Sequence, residues 1–167
     1  MNSVLFICSA NICRSPMAMG LLRSMVDDAS DQWKIESAGV WDMGGQQVAA
    51  NTQLVLKERG IDLNDHTSRT VTATMLSEFN LILVMEDTHK EVLKLAFPEY
   101  TDRFFMLSEM VGEFFEIVDP IGGSLTDFEE TALEMEWILT EGFKMISILA
   151  ADKLETDVSK QRTDTAD

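Results

Sequence analysis

The chain has 167 residues, 46% of them hydrophobic and 25% charged, which suits one domain with a proper core and excludes disorder across the main body. A formal net charge of −16 argues against nucleic-acid binding. No basic segment precedes a short apolar run at the N-terminus, and no apolar run approaches the roughly 20 residues of a membrane helix, so neither export nor membrane insertion is expected.

The two cysteines, Cys8 and Cys13, are too few for a disulfide framework and point instead to a reactive thiol in a reducing cytoplasm. The acidic excess is uneven: from Glu109 to Glu141 there are ten acidic residues and no Lys or Arg. A solvated helix face and loop is the simplest reading. A surface that disfavours acidic substrates or prefers basic ones, and an adaptation to salt, are the alternatives.

The body alternates strands and helices. Val4-Leu5-Phe6-Ile7 is a continuous apolar run, as in a strand buried on both faces. Ser15-Pro16 then predicts a helix start, with Ser15 as N-cap and Pro16 at the first helical position. Met17, Ala18, Leu21, Leu22 and Met25 form its apolar stripe, and these methionines read as core. A second strand is expected from Trp33 to Ala38, and a helix from about Gln46 to Arg59 that ends at Gly60. Leu81 to Met85 reads as another buried strand, Thr88 to Ala96 as a helix with His89 exposed near its start, and Arg103 to Leu107 as a strand. The last helix carries Phe128, Ala132, Met135, Leu139, Phe143, Ile146 and Ala150 on one stripe, with Thr126 and Glu129 as a capping box. The expected domain is residues 1–152, followed by a polar, disordered tail at 153–167. Such alternation implies an α/β fold with a parallel sheet, whose ligands lie beyond the C-terminal ends of the strands.

Cys8 falls at such an end. The segment Cys8-Ser9-Ala10-Asn11-Ile12-Cys13-Arg14-Ser15 runs from a strand to a helix start. Amides of a tight loop cradle an anion, and a helix N-terminus adds positive potential at the same place. The thiolate is the reactive form of cysteine, and this field favours it, which makes Cys8 a candidate nucleophile. Arg14 can hold two phosphate oxygens through its planar fork and stabilise them during transfer. Asn11 tolerates the left-handed backbone that a strongly curved loop needs. Ser15 can cap the helix or donate to the thiolate. Asp119 precedes Pro120, which keeps it off a helix; Asp-Pro is also common turn chemistry.

The run Cys8, Asn11, Ile12, Cys13, Arg14, Ser15, Pro16, together with Ser37-Ala38-Gly39, His66 with Arg69, and Asp119-Pro120, resembles the low-molecular-weight protein tyrosine phosphatase family from about Val4 to Ala150. The resemblance implies a three-layer α-β-α fold around a four-stranded parallel sheet. It implies that Cys8 forms a cysteinyl-phosphate and that Arg14 and the amides of Ser9, Ala10, Asn11, Ile12 and Cys13 bind the phosphate. Asp119 would protonate the leaving group and then activate water, and His66 would brace the loop through Asn11. It also suggests Cys13 as a redox partner of Cys8; a packed thiol is the alternative.

Departures from the family pattern bear on the substrate. Ala10 stands where Gly is usual, and Asn80 where Asp is common. Ile121 follows Pro120 where an aromatic pocket wall is usual, which leaves Trp41, then Met43, as the expected aromatic or apolar wall. Gly122-Gly123-Ser124 is similar to the protein-arginine phosphatase branch, but that branch has Thr at the position of Ile12. Phosphotyrosine is therefore the expected substrate residue, on a protein or peptide, with phosphoarginine as the alternative. Arsenate reduction is disfavoured because both cysteines lie inside the loop, and a phosphate-binding module without turnover is disfavoured by Cys8, Arg14 and Asp119 occurring together. No residue set has metal-ligand spacing and no dinucleotide fingerprint occurs, so no cofactor is expected. A monomer or weak dimer is expected.

Overall fold

The computed structural model describes residues 1–151 (Asp28 by its backbone only). The expected tail at 153–167 lies outside them. The apolar runs form four parallel strands: β1 (Asn2–Cys8), β2 (Trp33–Gly39), β3 (Leu81–Val84) and β4 (Phe104–Met106), in the order β2-β1-β3-β4. β1 is therefore central, and its last residue, Cys8, pairs with Gly39 at the end of β2.

The strands are apolar on both sides because both sides are covered. Val4, Phe6, Leu81 and Leu83 face one core, which holds Met17, Leu21 and Leu22 of α1 (Arg14–Met25) and Leu56 of α2 (Ala50–Lys57). The same core takes Phe128, Met135 and Leu139 of α5 (Leu125–Glu141) and Ile146 of α6 (Phe143–Ala150). Leu5, Ile7, Ile82 and Val84 face the other, with Leu76 of α3 (Ala73–Ser77), Phe79, and Leu93 of α4 (Asp87–Ala96). A strand's side chains alternate between faces, so a one-residue slip of β1 would exchange the two cores. The parallel sheet is what the alternation implied, and the three-layer arrangement around four strands is what the resemblance implied.

Several boundaries differ from expectation. Helix α1 begins at Arg14, one residue before Ser15; the N-cap is Cys13, and no side chain caps it. Ser15 is drawn into the loop below it instead, and Pro16 sits in the first turn, where its missing N–H costs nothing. Met25, last of the α1 stripe, is exposed. Helix α2 starts at Ala50 rather than Gln46, because Gln47 is held in an antiparallel bridge to Thr67. Gly60 follows the helix with φ of 72°, the left-handed turn its sequence predicted.

The capping box of α5 is Ser124 with Asp127, two residues earlier than Thr126 with Glu129, because Ser124 is the last extended residue. Glu129 joins Glu136 instead in gripping Arg59 beyond α2, which ties that segment to α5. Part of the acidic run is thus an ion-pair partner and not only solvated surface. The expected last helix is interrupted at Gly142. A Cβ there would lie 2.7 Å from the Ile138 carbonyl oxygen and 2.8 Å from Met110 Cβ, so only glycine allows this approach.

Candidate active site

The loop after β1 closes on the Cys8 sulfur. The Asn11 N–H donates to Sγ at 3.3 Å, and Ser15 Oγ lies 3.1 Å from it. When the sulfur is ionised it can only accept, so the Ser15 proton turns to it. The alternative acceptor for that proton is the Ala38 carbonyl, 3.3 Å away. These engagements explain why Ser15 does not cap the helix.

Asn11 holds the loop's curvature. It is fully buried with φ of 57°, the left-handed conformation expected of it. Its Nδ2 donates to Ser15 Oγ at 2.8 Å and to Ser37 Oγ at 2.9 Å, while Oδ1 accepts from the Arg69 N–H at 3.1 Å. Its carbonyl accepts from His66 Nε2 at 3.1 Å, which assigns the His66 proton to Nε2. Asn11, His66, Arg69 and Ser37 are thereby brought together, as the resemblance implied for His66. Ile12 is half-buried against the first core. Ala10 is half-buried beside Gly39.

Gly39 is needed for that proximity. A Cβ on it would lie 2.7 Å from the Ser9 carbonyl oxygen and 3.0 Å from the Ala10 carbonyl carbon, both backbone atoms that cannot swing aside. Gly39→Ala must displace the loop, and misplacement of a reacting group by about 1 Å costs on the order of a hundredfold in rate. The variant should fold, yet lose at least tenfold in kcat/KM on an aryl phosphate, about the lower part of that range. Wild-type kinetics would show that the loop absorbs the methyl group.

Arg14 is 1% exposed. Its Nη1 donates to a Glu86 carboxylate oxygen and, at 2.8 Å, to the Ile117 carbonyl; its Nη2 donates to Asp119 Oδ2 at 3.2 Å. Its Nε is buried without a hydrogen-bond partner among the described residues. Such an orphaned donor beside the loop fits an anion there. Asp119 also accepts the Ile121 N–H through Oδ1 at 3.1 Å, so one oxygen shapes the turn and the other faces Arg14. Asp119 is partly exposed and can meet solvent and substrate.

Cys13 is buried, and burial first, then the Asp119 carboxylate and Cys8, push its thiol up to about 12. Both cysteines are free. Trp41 is exposed but anchored, its N–H donating to the Ser9 carbonyl at 2.9 Å. Met43, two residues on, and Ile121 are exposed as well.

Two residues at the site were not found in the sequence. Glu86 is the N-cap of α4 and holds Arg14. Burial pushes its carboxyl up, but the guanidinium against it pulls harder, and the net is below the usual range. His89, expected to be exposed, is 3% exposed, and its Nε2 lies 2.8 Å from Ser9 Oγ. Both stand just beyond the C-terminal end of β3, where ligands gather in parallel sheets; that rule applied to β3 as well as β1 would have flagged them.

His66 and His89 carry a pH dependence. Burial pushes both below their ordinary 6.5, against the Asn11 carbonyl in one case and Glu86 in the other. Below 6.5 the unfolded chain takes up protons that the folded rings refuse, so stability falls as pH drops towards the folded values. The Glu86 contribution, present above its ordinary 4.5, is lost at lower pH still, as the folded carboxyl protonates. Melting temperatures across mildly acidic buffers should therefore decline from neutrality downward, and a flat profile would contradict burial of these rings.

A family model of the low molecular weight phosphotyrosine protein phosphatases matches residues 3–160. The chain belongs to that family and is a cysteine-dependent protein phosphatase. It is 38% identical over 134 residues to the probable low molecular weight protein-tyrosine-phosphatase EpsP of Ralstonia nicotianae, covering 80% of this chain and 88% of that one. It is 32% identical over 144 residues to the protein-arginine-phosphatase of Bacillus subtilis, covering 86% and 95%. Among solved structures, the low molecular weight protein tyrosine phosphatase from T. tengcongensis superposes with a TM-score of 0.82 at 34% identity, over 87% of this chain and 99% of that one.

Among the described residues no helix is long and apolar enough to cross a membrane, and no group of three or more His, Cys, Asp or Glu could hold a metal ion.

Proposed function

We propose that this chain removes phosphate from phosphotyrosine on proteins or peptides, through one phosphatase domain at residues 1–152. The observation that carries the chemistry is the Cys8 sulfur at the end of the central strand, hydrogen-bonded by the Asn11 amide at 3.3 Å, with buried Arg14 at the other end of the same loop. In the first step Cys8 Sγ attacks phosphorus, the phosphorus–oxygen bond to the phenol breaks, and Asp119 gives the leaving oxygen its proton. In the second, Asp119 takes a proton from water as that water attacks phosphorus. The sulfur–phosphorus bond breaks, releasing phosphate and the thiolate. Arg14 and the amides from Ser9 to Cys13 hold the equatorial oxygens throughout.

Ile12 supports phosphotyrosine over phosphoarginine. Its side chain is hydrocarbon and offers no acceptor to a guanidino group, whose N–H donors would be left unpaired. Trp41, Met43 and Ile121 are the candidate walls around the phenyl ring. One observation favours the second reading. A 460 Å³ cavity borders the Asp119 turn, and its wall includes Asp127, Glu130 and Glu134, which suit a cationic group.

Competing hydrolysis of a phosphotyrosine and a phosphoarginine peptide near neutral pH, with Cys8→Ser as control, decides between them. Faster phosphotyrosine turnover supports the proposal; faster phosphoarginine turnover gives the acidic wall the deciding role. The proposed setting is the cytoplasm, as a monomer or weak dimer, without metal, nucleic acid or membrane. Cys13 as a reversible disulfide partner of Cys8 belongs to the same reading, and needs loop rearrangement because both thiols share one tight loop.

A further inference from the structure

The start of helix α4 touches the phosphate loop at both ends. Glu86 grips Arg14 where the loop closes, and His89, three residues on and one turn further, reaches Ser9 where it opens. Ser9 follows the nucleophile directly, and its carbonyl is fixed by the Trp41 N–H at 2.9 Å.

Two facts assign the His89 proton. Nε2 lies 2.8 Å from Ser9 Oγ, and Nδ1 is buried without a hydrogen-bond partner among the described residues. A proton on Nδ1 would be an orphaned buried N–H, the rarest kind of unsatisfied group, whereas a bare ring lone pair is the lesser cost. The proton of the neutral ring is therefore on Nε2 and is donated to Ser9 Oγ. Ser9 then has one lone pair occupied, and its own O–H is left to donate elsewhere.

We propose that His89 is a positioning residue which, by donating to Ser9 Oγ, aims the Ser9 hydroxyl proton at a phosphoryl oxygen held over Cys8. The proposal rests on the phosphatase reading and adds a side-chain donor to the loop amides and Arg14. A hydroxyl that could rotate freely would spend part of its time donating to the imidazole or to water. One held by an N–H behind it is already oriented before the charge of the transferring group develops.

The ring stays neutral for this role. Burial, and then Arg14, hold it below its ordinary value, although Glu86, Glu116 and Asp119 pull the other way. Lys90, the next residue, is engaged by Glu109.

The test compares Ser9→Ala, His89→Ala, His89→Gln and the Ser9→Ala/His89→Ala double variant. Two readouts are taken: kcat/KM on p-nitrophenyl phosphate, and protection of Cys8 from iodoacetamide by inorganic phosphate. Labelling of Cys13 is measured separately in Cys8→Ser and subtracted. A hydrogen bond to a charged group predicts a loss of about tenfold in both readouts for each alanine variant. The double variant should be no worse than Ser9→Ala alone, since both changes remove the same oriented donor. His89→Gln, whose amide can donate to Ser9, should recover most of the loss at an unchanged melting temperature.

Losses that multiply in the double variant, or a His89→Ala protein that melts earlier with both readouts at wild-type values, would reduce His89 to core packing and overturn the proposal. If His89→Ala does not fold, Ser9→Ala at wild-type values overturns it equally. A wild-type protein that turns over no phosphate ester defeats the phosphatase reading, while the protection readout still decides the role of His89.

Discussion

Cys8→Ser is expected to abolish turnover, with a loss of roughly 10⁴-fold or more, the scale seen when a covalent nucleophile is removed. The substitution exchanges a soft, nucleophilic sulfur for a hydroxyl that has no adjacent base to take its proton. Ser15 Oγ, 3.1 Å from the sulfur, cannot serve, since it is itself a hydroxyl committed to Asn11 and Ala38. The loop should survive. A serine oxygen can accept the Asn11 N–H as the sulfur does, and the buried network of Asn11, Ser37, Arg69 and His66 does not involve the side chain replaced. Phosphate should therefore still bind, by calorimetry or by a rise in melting temperature on adding phosphate. Activity within tenfold of wild type would show that Cys8 is not the nucleophile.

Asp119→Asn should lower kcat by about 10² to 10⁴-fold, the usual worth of a general acid and base. The size should depend on the leaving group. An alkoxide-like or phenolate oxygen needs its proton as the bond breaks, whereas nitrophenolate leaves well without one, so the loss should be greater on a phosphotyrosine peptide than on p-nitrophenyl phosphate. Asn keeps the acceptor for the Ile121 N–H, now at 3.1 Å, and so keeps the turn, which separates a chemical effect from a structural one. It also removes the charge 3.2 Å from Arg14 Nη2, which frees the guanidinium for phosphate. Binding of inorganic phosphate should accordingly be maintained or strengthened while turnover falls. Equal losses on both substrates would indicate a structural role for Asp119 rather than proton transfer.

Much of this is legible along the chain. Val4 to Ile7 has to be a doubly buried strand because four consecutive apolar residues leave no face for water, and the loop that follows carries Cys8, Asn11 and Arg14 at short, local spacing. Asn11 at φ of 57° and Gly60 at 72° are readable because few residues tolerate those angles. Asp119 is legible by resemblance, its Asp-Pro pair being common turn chemistry otherwise.

The contacts across the sheet are not legible. Glu86 lies 72 residues from Arg14, His89 lies 80 residues from Ser9, and Asp119 lies 105 residues from Arg14. A local pattern holds no information about partners at such separation. His89 reads as a helix-start residue in water because its neighbours Asp87, Thr88 and Lys90 are polar. It is buried because parallel pairing of β1 with β3 sets the first turn of α4 against the phosphate loop. Ser15 shows the same limit on a smaller scale. Its type and position suit an N-cap, but Cys8, Asn11 and Ala38 converge on its hydroxyl, and three partners outweigh a capping bond of about 1 kcal/mol. Propensity and spacing settle the elements and the reactive loop, while long-range packing settles which polar side chains lose their water and must find one another.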